Sequence, residues 1–385
     1  MGFSKDIQQF RFFDNREKYL LFVSTCNEKQ VIADRIKMDM TFMNPPSSGL
    51  RVFDAGMGDA TVLSQVMRFL HHKDPKMPLL VVAKELSHED VRISLDKMAD
   101  RFCEHPRTVL TLTNMLYSEA PRLYPNSRAM QQKLNWVTIP IEGSTAYAFN
   151  EQIKDLKINI QDWWQTKTNE ITGNSIYTTP TVVVIYRKDH EKSLTSIIPM
   201  RREGEREYDL MIASQPFRSR SSAESKVKYV LAPLSRSLAP SGVMVVVQST
   251  GKDPGMEIIR DIWPGEDPFP TSREDLLKEM HFRLSNDHPD LRFLSYPDSR
   301  ARFRYDFQLP YPEATSSIGT STIMAAWNAA TYVAQIDDDL LTQAMSSSDY
   351  MDVVSKVMQR HDGLWFADES FAVARVSHEN QGIRT

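Results

Sequence analysis

Residues 51 to 61, Arg-Val-Phe-Asp-Ala-Gly-Met-Gly-Asp-Ala-Thr, constrain the fold more than any other stretch. The apolar run ending at Phe53 reads as a buried strand, Asp54 opens a turn, Gly56 and Gly58 let the backbone curl, and an amphipathic helix begins at Thr61. Glycine tolerates positive φ and leaves no Cβ between the backbone and a ligand lying on the loop. An ordinary strand-to-helix turn could carry both glycines, so the next segment decides. Leu79 to Ala83 is a second buried strand, with Glu85 near its end. Open α/β sheets bind ligands beyond the carboxyl ends of their strands, and an acid there can accept hydrogen bonds from both hydroxyls of a ribose.

The rest of the chain continues the alternation. His88 to Cys103 is an amphipathic helix with Val91, Leu95, Met98 and Phe102 inward, and Thr108 to Leu112 is a third strand. Tyr208 to Ala213 is a fourth, Lys226 to Leu238 a helix, and Val243 to Val247 a fifth strand. Strand and helix in turn predict an α/β fold with a doubly wound, mainly parallel, Rossmann-like sheet. Between the third and fourth strands lies a long insertion, about residues 126–206, holding Trp136 to Ile141, Trp163-Trp164 and a hairpin expected from Thr181 to Ile198. It is either a substrate cover or a peripheral decoration or oligomer contact. Residues 1–49 read as a helical segment broken by Asn44-Pro45-Pro46, and 50–295 as the Rossmann-like domain. Residues 296–385 read as a cap that returns a last strand, Leu364 to Ala374, to the sheet. Within them helices are expected at Ile318 to Ile336 and Asp349 to Gln359, and ahead of them a capping box of Thr271 with Glu274 opens another.

A dinucleotide site would place a third glycine where this chain has Ala60, preceded by Asp59. Acidic side chains repel phosphate, so Asp54 and Asp59 suit a cofactor with a cationic centre and an amino-acid tail, such as S-adenosylmethionine. No Gly-Lys-Ser/Thr follows, which removes the P-loop reading.

The 41% hydrophobic and 25% charged content is that of a globular protein, and no apolar run reaches the length of a membrane span. The amino terminus lacks the apolar core of a signal peptide, Gly2 alone does not make a myristoylation signal, and only Cys26 and Cys103 are present, so a cytosolic protein is expected. Net charge of -4 and pI near 6.2 give no overall attraction to nucleic acid or anionic lipid. The basic runs at Arg201-Arg202, Arg218-Arg220 and Arg300 to Arg304 read as solvated surface, and nine histidines lie scattered without metal-ligand spacing. Oligomeric state is not legible.

On the motif at 50–125 and the segment 207–250, the chain resembles class I S-adenosylmethionine-dependent methyltransferases, whose sheet has seven strands. More narrowly it is similar to the histamine N-methyltransferases, through Phe22 to Gln30 and Asp209 to Gln215. That resemblance implies that Glu28 contacts a substrate amine and that Gln215 binds substrate. It also implies cofactor contacts at Gly56, Glu85, Asp90, Ser118 and Ser214, beside Asp54 and Gly58 of the turn. Where the family has a substrate-contacting asparagine in its last strand, this chain has Ala367 or Asp368. Ser214-Gln215-Pro216-Phe217 resembles, with one proline missing, the loop of enzymes that methylate planar amino groups, which makes Phe217 a candidate aromatic wall. The implied activity is in-line transfer of a methyl group to a small-molecule amine, with Glu28, Gln215, Phe217 and Asp368 at the substrate. A protein, peptide or RNA substrate, an oxygen acceptor, and a non-catalytic scaffold are the alternatives.

Overall fold

The structure is a computed structural model that describes residues 16–40, 43, 46, 48–169, 175–202, 204–308 and 319–377. Gly2, Asn44, Pro45 and Ile318, used above, lie outside the described residues.

Twelve strands are described: β1 (Leu50–Asp54), β2 (Leu79–Lys84), β3 (Thr108–Thr113), β4 (Asn135–Ile141), β5 (Thr166–Thr168), β6 (Ser175–Tyr177), β7 (Thr181–Arg187), β8 (Tyr208–Ser214), β9 (Leu238–Ser249), β10 (Leu291–Leu294), β11 (Arg302–Asp306) and β12 (Trp365–Arg375). Ten form one sheet in the order β10-β12-β9-β8-β1-β2-β3-β7-β4, with β11 paired to β12. β1, β2, β3, β8 and β9 run parallel, and order reverses at β1, where β2 lies on one side and β8 on the other. Val81, Val82, Leu112, Leu210 and Val245 in these strands are wholly buried, because helices cover both faces.

One face packs against helices Glu28–Asp39, Thr61–Lys73, His88–Glu104 and Ala146–Trp163. The other is covered by the turns and helices of 223–235 and by Arg273–Leu284. A third apolar cluster joins Arg16–Thr25 to Pro254–Ile262, Thr320–Val333 and Asp349–Arg360, with Tyr305 and Phe366 inside it. The architecture is thus α/β, doubly wound and Rossmann-like, as expected.

The sheet is larger than seven strands. The insertion adds β7 antiparallel to β3 and β4 parallel to β7, widening the sheet at its β3 edge. The expected hairpin from Thr181 to Ile198 does not form: after β7 the chain turns into a short helix, Glu191–Leu194, and the neighbours of β7 are β3 and β4. Two smaller expectations also change. The capping box belongs to Ser272 and Asp275, one residue later than Thr271 and Glu274: Asp275 N–H donates to Ser272 Oγ and Ser272 N–H to Asp275 Oδ2, each at 3.2 Å. The segment expected as a helix to Leu238 ends at Ser235, after a π-turn at Val227–Leu231.

β9 starts with an irregularity opposite Tyr208 and Leu210, where Ser241 has φ +65°. A Cβ on Gly242 would lie 2.6 Å from Tyr208 O and 2.8 Å from Ala239 O, both backbone atoms that no rotamer change can move. Gly242→Ala is therefore expected to destabilise the fold by about 2 kcal/mol or more, read as a lower urea midpoint. An unchanged midpoint would show that the bulge relaxes freely.

Candidate functional site

The glycine turn follows β1. Asp54, at its end, is 2% exposed, and its Oδ1 accepts the Gly56 N–H at 3.1 Å. Burial, reinforced by Glu85, pushes its carboxyl up to about 7 against the pull of that hydrogen bond. Gly58 needs its glycine, with φ +53° and Tyr19 Oη 3.3 Å from a would-be Cβ. Ala60 also adopts positive φ, at 60°, directly before helix Thr61–Lys73. Gly56 is exposed, and a Cβ there would meet nothing within 4 Å, so the turn has open space on its outer side.

Glu85 follows β2 and folds its carboxylate back onto the turn. Oε2 accepts from Gly58 N (2.8 Å), and Oε1 from Leu86 N (2.6 Å) and Ser87 N (2.9 Å). Burial and the nearby Asp90 push this carboxyl up, while the amides of Ser87 and Gly58 pull it down. With three of its four lone-pair positions filled, Glu85 has room for one more donor, not for the two ribose hydroxyls anticipated from its position. Asp90 sits at the third position of the helix whose N-cap is Ser87.

Asp59 does not offer its charge to a ligand. Lys97 Nζ approaches Asp59 Oδ2 at 2.7 Å, and the Thr61 hydroxyl donates to the same oxygen at 2.5 Å. Burial opposes its ionisation, but Lys97 and Thr61 outweigh burial and hold it below the usual carboxylate range. Of the two acids in the turn, only Asp54 is left to meet a cationic group. Ser118 is exposed and accepts from Asn126 Nδ2 at 3.0 Å, and among the described residues no hydrogen bond ties it to the turn. Ser214 ends β8, half-buried, two residues beyond the partner of Asp54.

The second centre lies at the carboxyl ends of β8 and β9. Gln215 has φ +46°, a left-handed conformation that a non-glycine residue rarely adopts and that recurs at functional sites. Its Nε2 lies 3.1 Å from Glu28 Oε1, 3.1 Å from Asp368 Oδ2 and 3.3 Å from Ser249 Oγ. An amide nitrogen has two protons for these three oxygens. Glu28 opens the helix Glu28–Asp39 and is 4% exposed; Asp368, on β12, is fully buried. Burial, then repulsion from Glu28, pushes the Asp368 carboxyl up to about 8. Two buried acids on one amide cannot easily both ionise. Asp368 Oδ1 and the buried Tyr305 hydroxyl have no hydrogen-bond partner among the described residues. The Tyr305 ring stacks on Phe366, 5.2 Å between centroids, with Phe22 edge-on at 6.2 Å.

Lys29 joins the two centres. Its Nζ stands 3.1 Å from Glu28 Oε2 and 5.8 Å from the Tyr19 ring centroid. Burial opposes its charge, yet Glu28, Tyr19 and Asp59 together hold it above the ordinary lysine range. Phe217 is half-buried beside Gln215, with Lys226 Nζ 4.9 Å from its ring centroid. The insertion reaches the site through Trp164, whose Nε1 donates to Glu85 O at 2.8 Å, so its inner end braces the second-strand loop.

Of the residues expected from sequence, Asp54, Gly56, Gly58 and Glu85 share one loop cluster, and Glu28, Gln215 and Asp368 share the other. Lys29, Ser249, Tyr305, Trp164 and Lys97 were not expected. Ser249 had a findable signal, since it ends the strand after the one that delivers Gln215. Lys97 had none, because a helix lysine reads as solvated surface.

No family model and no curated protein matches the chain. Solved structures that match it include the [4+2]-cyclase SpnF, at 12% identity over 91% of this chain and 80% of that one, TM-score 0.34. A geranyl diphosphate methyltransferase in complex with GPP and sinefungin matches at 11% identity over 89% and 78%, TM-score 0.33. The plantazolicin methyltransferase BpumL, in complex with a monoazolic desmethylPZN analog and SAH, matches at 8% over 94% and 87%, TM-score 0.32.

Proposed function

We propose that this protein is an S-adenosylmethionine-dependent methyltransferase that methylates the nitrogen of a small-molecule amine. The observation that carries the reading is the convergence of Glu28 and Asp368 on Gln215 Nε2 in a buried, aromatic-walled site next to an open glycine turn. A buried pair of acids with an unpartnered oxygen suits a compact N–H donor, and its enclosure favours a small molecule over a polymer.

The turn fits the proposed cofactor in three respects. The outer side of Gly56 is open, Glu85 keeps one acceptor position, and buried Asp54 can face a positive charge. When bound, the cofactor supplies an electrophilic methyl group on a sulfonium. The protein's share of the work is to exclude water and align the acceptor lone pair.

An ammonium entering the cluster offsets the repulsion between Glu28 and Asp368, which lets Asp368 ionise. The same carboxylate then takes one N–H proton, which frees the nitrogen lone pair. Gln215, anchored in the left-handed region, fixes the direction of that lone pair. Asp54, Gly58 and Glu85 would hold the methyl donor, which would supply an electrophilic methyl group to that lone pair. Helix 16–25 and residues 296–308 and 319–377 form the substrate side of this arrangement.

Two measurements test the reading. Calorimetric titration with S-adenosylmethionine should show binding by the parent chain and at least tenfold weaker binding by Asp54→Asn, since Asp54 then no longer offers a charge. A screen with labelled methyl donor over amines, amino acids and peptides should give labelled amine product. Absence of cofactor binding by the parent would end the proposal.

A further inference from the structure

A cavity lies beside Gln215, the residue whose amide meets both acids. Gln215 and Ser249 form part of its wall, and Phe217, Ser219, Lys226 and Gln248 form another part. Lys226 is 3% exposed, and its ammonium makes no hydrogen bond or ion pair among the described residues. Its contact is the face of Phe217. Glu369 is near enough to favour the Lys226 charge, but its Oε1 already accepts from Gln248 Nε2 at 3.0 Å and Arg273 N at 3.1 Å, and Arg273 Nη1 stands 3.8 Å from Oε2. Ser219 Oγ and Gln248 Oε1 are buried without partners among the described residues. A buried lysine without a counter-ion is costly, and burial draws Lys226 down to about 8. The cavity wall therefore runs from Gln215, whose amide meets the Glu28 and Asp368 carboxyls, to an ammonium that is unpaired among the described residues.

We infer that the acceptor is an amino acid, whose carboxylate sits on Lys226 and Ser219 while the amine to be methylated sits on Glu28, Gln215 and Asp368. The inference rests on the amine-methylation reading above and narrows it. Gln248 Oε1 supplies an acceptor for a remaining N–H donor of the same ligand. Lys226 is a substrate-positioning group and takes no part in the transfer step.

The test uses the full chain, labelled S-adenosylmethionine, and pairs of substrates that differ by one carboxylate: each protein amino acid and the amine left by its decarboxylation. For the best pair, the amino acid should exceed its amine in kcat/KM by about ten- to hundredfold, the worth of one charge-assisted hydrogen bond. Lys226→Met should erase that preference by raising KM for the amino acid, with kcat and the rate on the amine unchanged. Lys226→Arg should restore much of it. Cofactor titration and melting temperature of each variant establish that it is folded. A parent that prefers the amines, or a Lys226→Met variant that slows both members of a pair equally while binding cofactor normally, overturns the inference and leaves amine methylation standing. A parent that binds the cofactor and methylates no member of any pair overturns both.

Discussion

Glu28→Gln should lower kcat/KM for the amine acceptor by about two to three orders of magnitude while leaving S-adenosylmethionine affinity within twofold. The substitution keeps the shape of the side chain and one acceptor oxygen within reach of Gln215 Nε2, so the loss would report the charge itself. It removes half of the negative potential facing an ammonium, and it leaves Lys29 without its closest carboxylate. Both changes oppose a cationic substrate: KM should rise because the ammonium loses its counter-charge, and kcat should fall because Asp368 is no longer held in proton balance with a neighbour. Steady-state kinetics with the best amine from the screen, together with cofactor titration, separates the two effects. Unchanged turnover would remove Glu28 from the mechanism, and loss of cofactor binding would mark it as a structural residue of the turn.

Asp368→Asn should have opposite effects on activity and on stability. Activity should fall about a hundredfold, because the amide cannot take a proton. Stability follows from the carboxyl's shift to about 8, well above its ordinary value. An acid raised in the folded state contributes fully to stability below its unfolded value near 4. That contribution is lost as pH rises toward 8, because the unfolded chain releases the proton first. The parent should therefore weaken across this window, and Asp54, raised to about 7, adds a slope of the same sign. Asp368→Asn has no proton to lose at this site. It should match the parent near pH 4 to 5 and exceed it at pH 8 to 9 by several kcal/mol, on the order of 3 to 5. Urea unfolding at a series of pH values reads this directly. A variant less stable than the parent at pH 9 would show that Asp368 is a structural acid whose hydrogen bonds outweigh its burial.

These effects depend on contacts that no local pattern announces. Gln215 meets Glu28 across 187 positions and Asp368 across 153. The glycine turn was legible because its parts are neighbours: a strand, a positive-φ glycine at 58 and a helix start are written within eleven residues. The hairpin expected after Thr181 failed for the complementary reason. An all-apolar run such as Thr181 to Tyr186 says that a strand is buried on both faces, but not which strands flank it, and here they are β3 and β4. The slip of the capping box from Thr271 to Ser272 is of the same kind, since both residues satisfy the pattern and the path of the chain chooses.

The sequence by itself determined the doubly wound α/β order, the turn at Asp54 to Gly58 and the candidacy of Glu85, since these rest on period, glycine and spacing along the chain. Tertiary structure decided what each charge faces. Asp59 is spent on Lys97, and Glu85 is largely spent on backbone amides of its own loops. Asp368 and Glu28 share one amide, and Lys226 is left in a cavity without an ion pair among the described residues. Ionisation and binding depend on distance and desolvation, which a folded chain sets between residues far apart in sequence, so the same carboxyl can be a helix brace, a loop clamp or a proton acceptor.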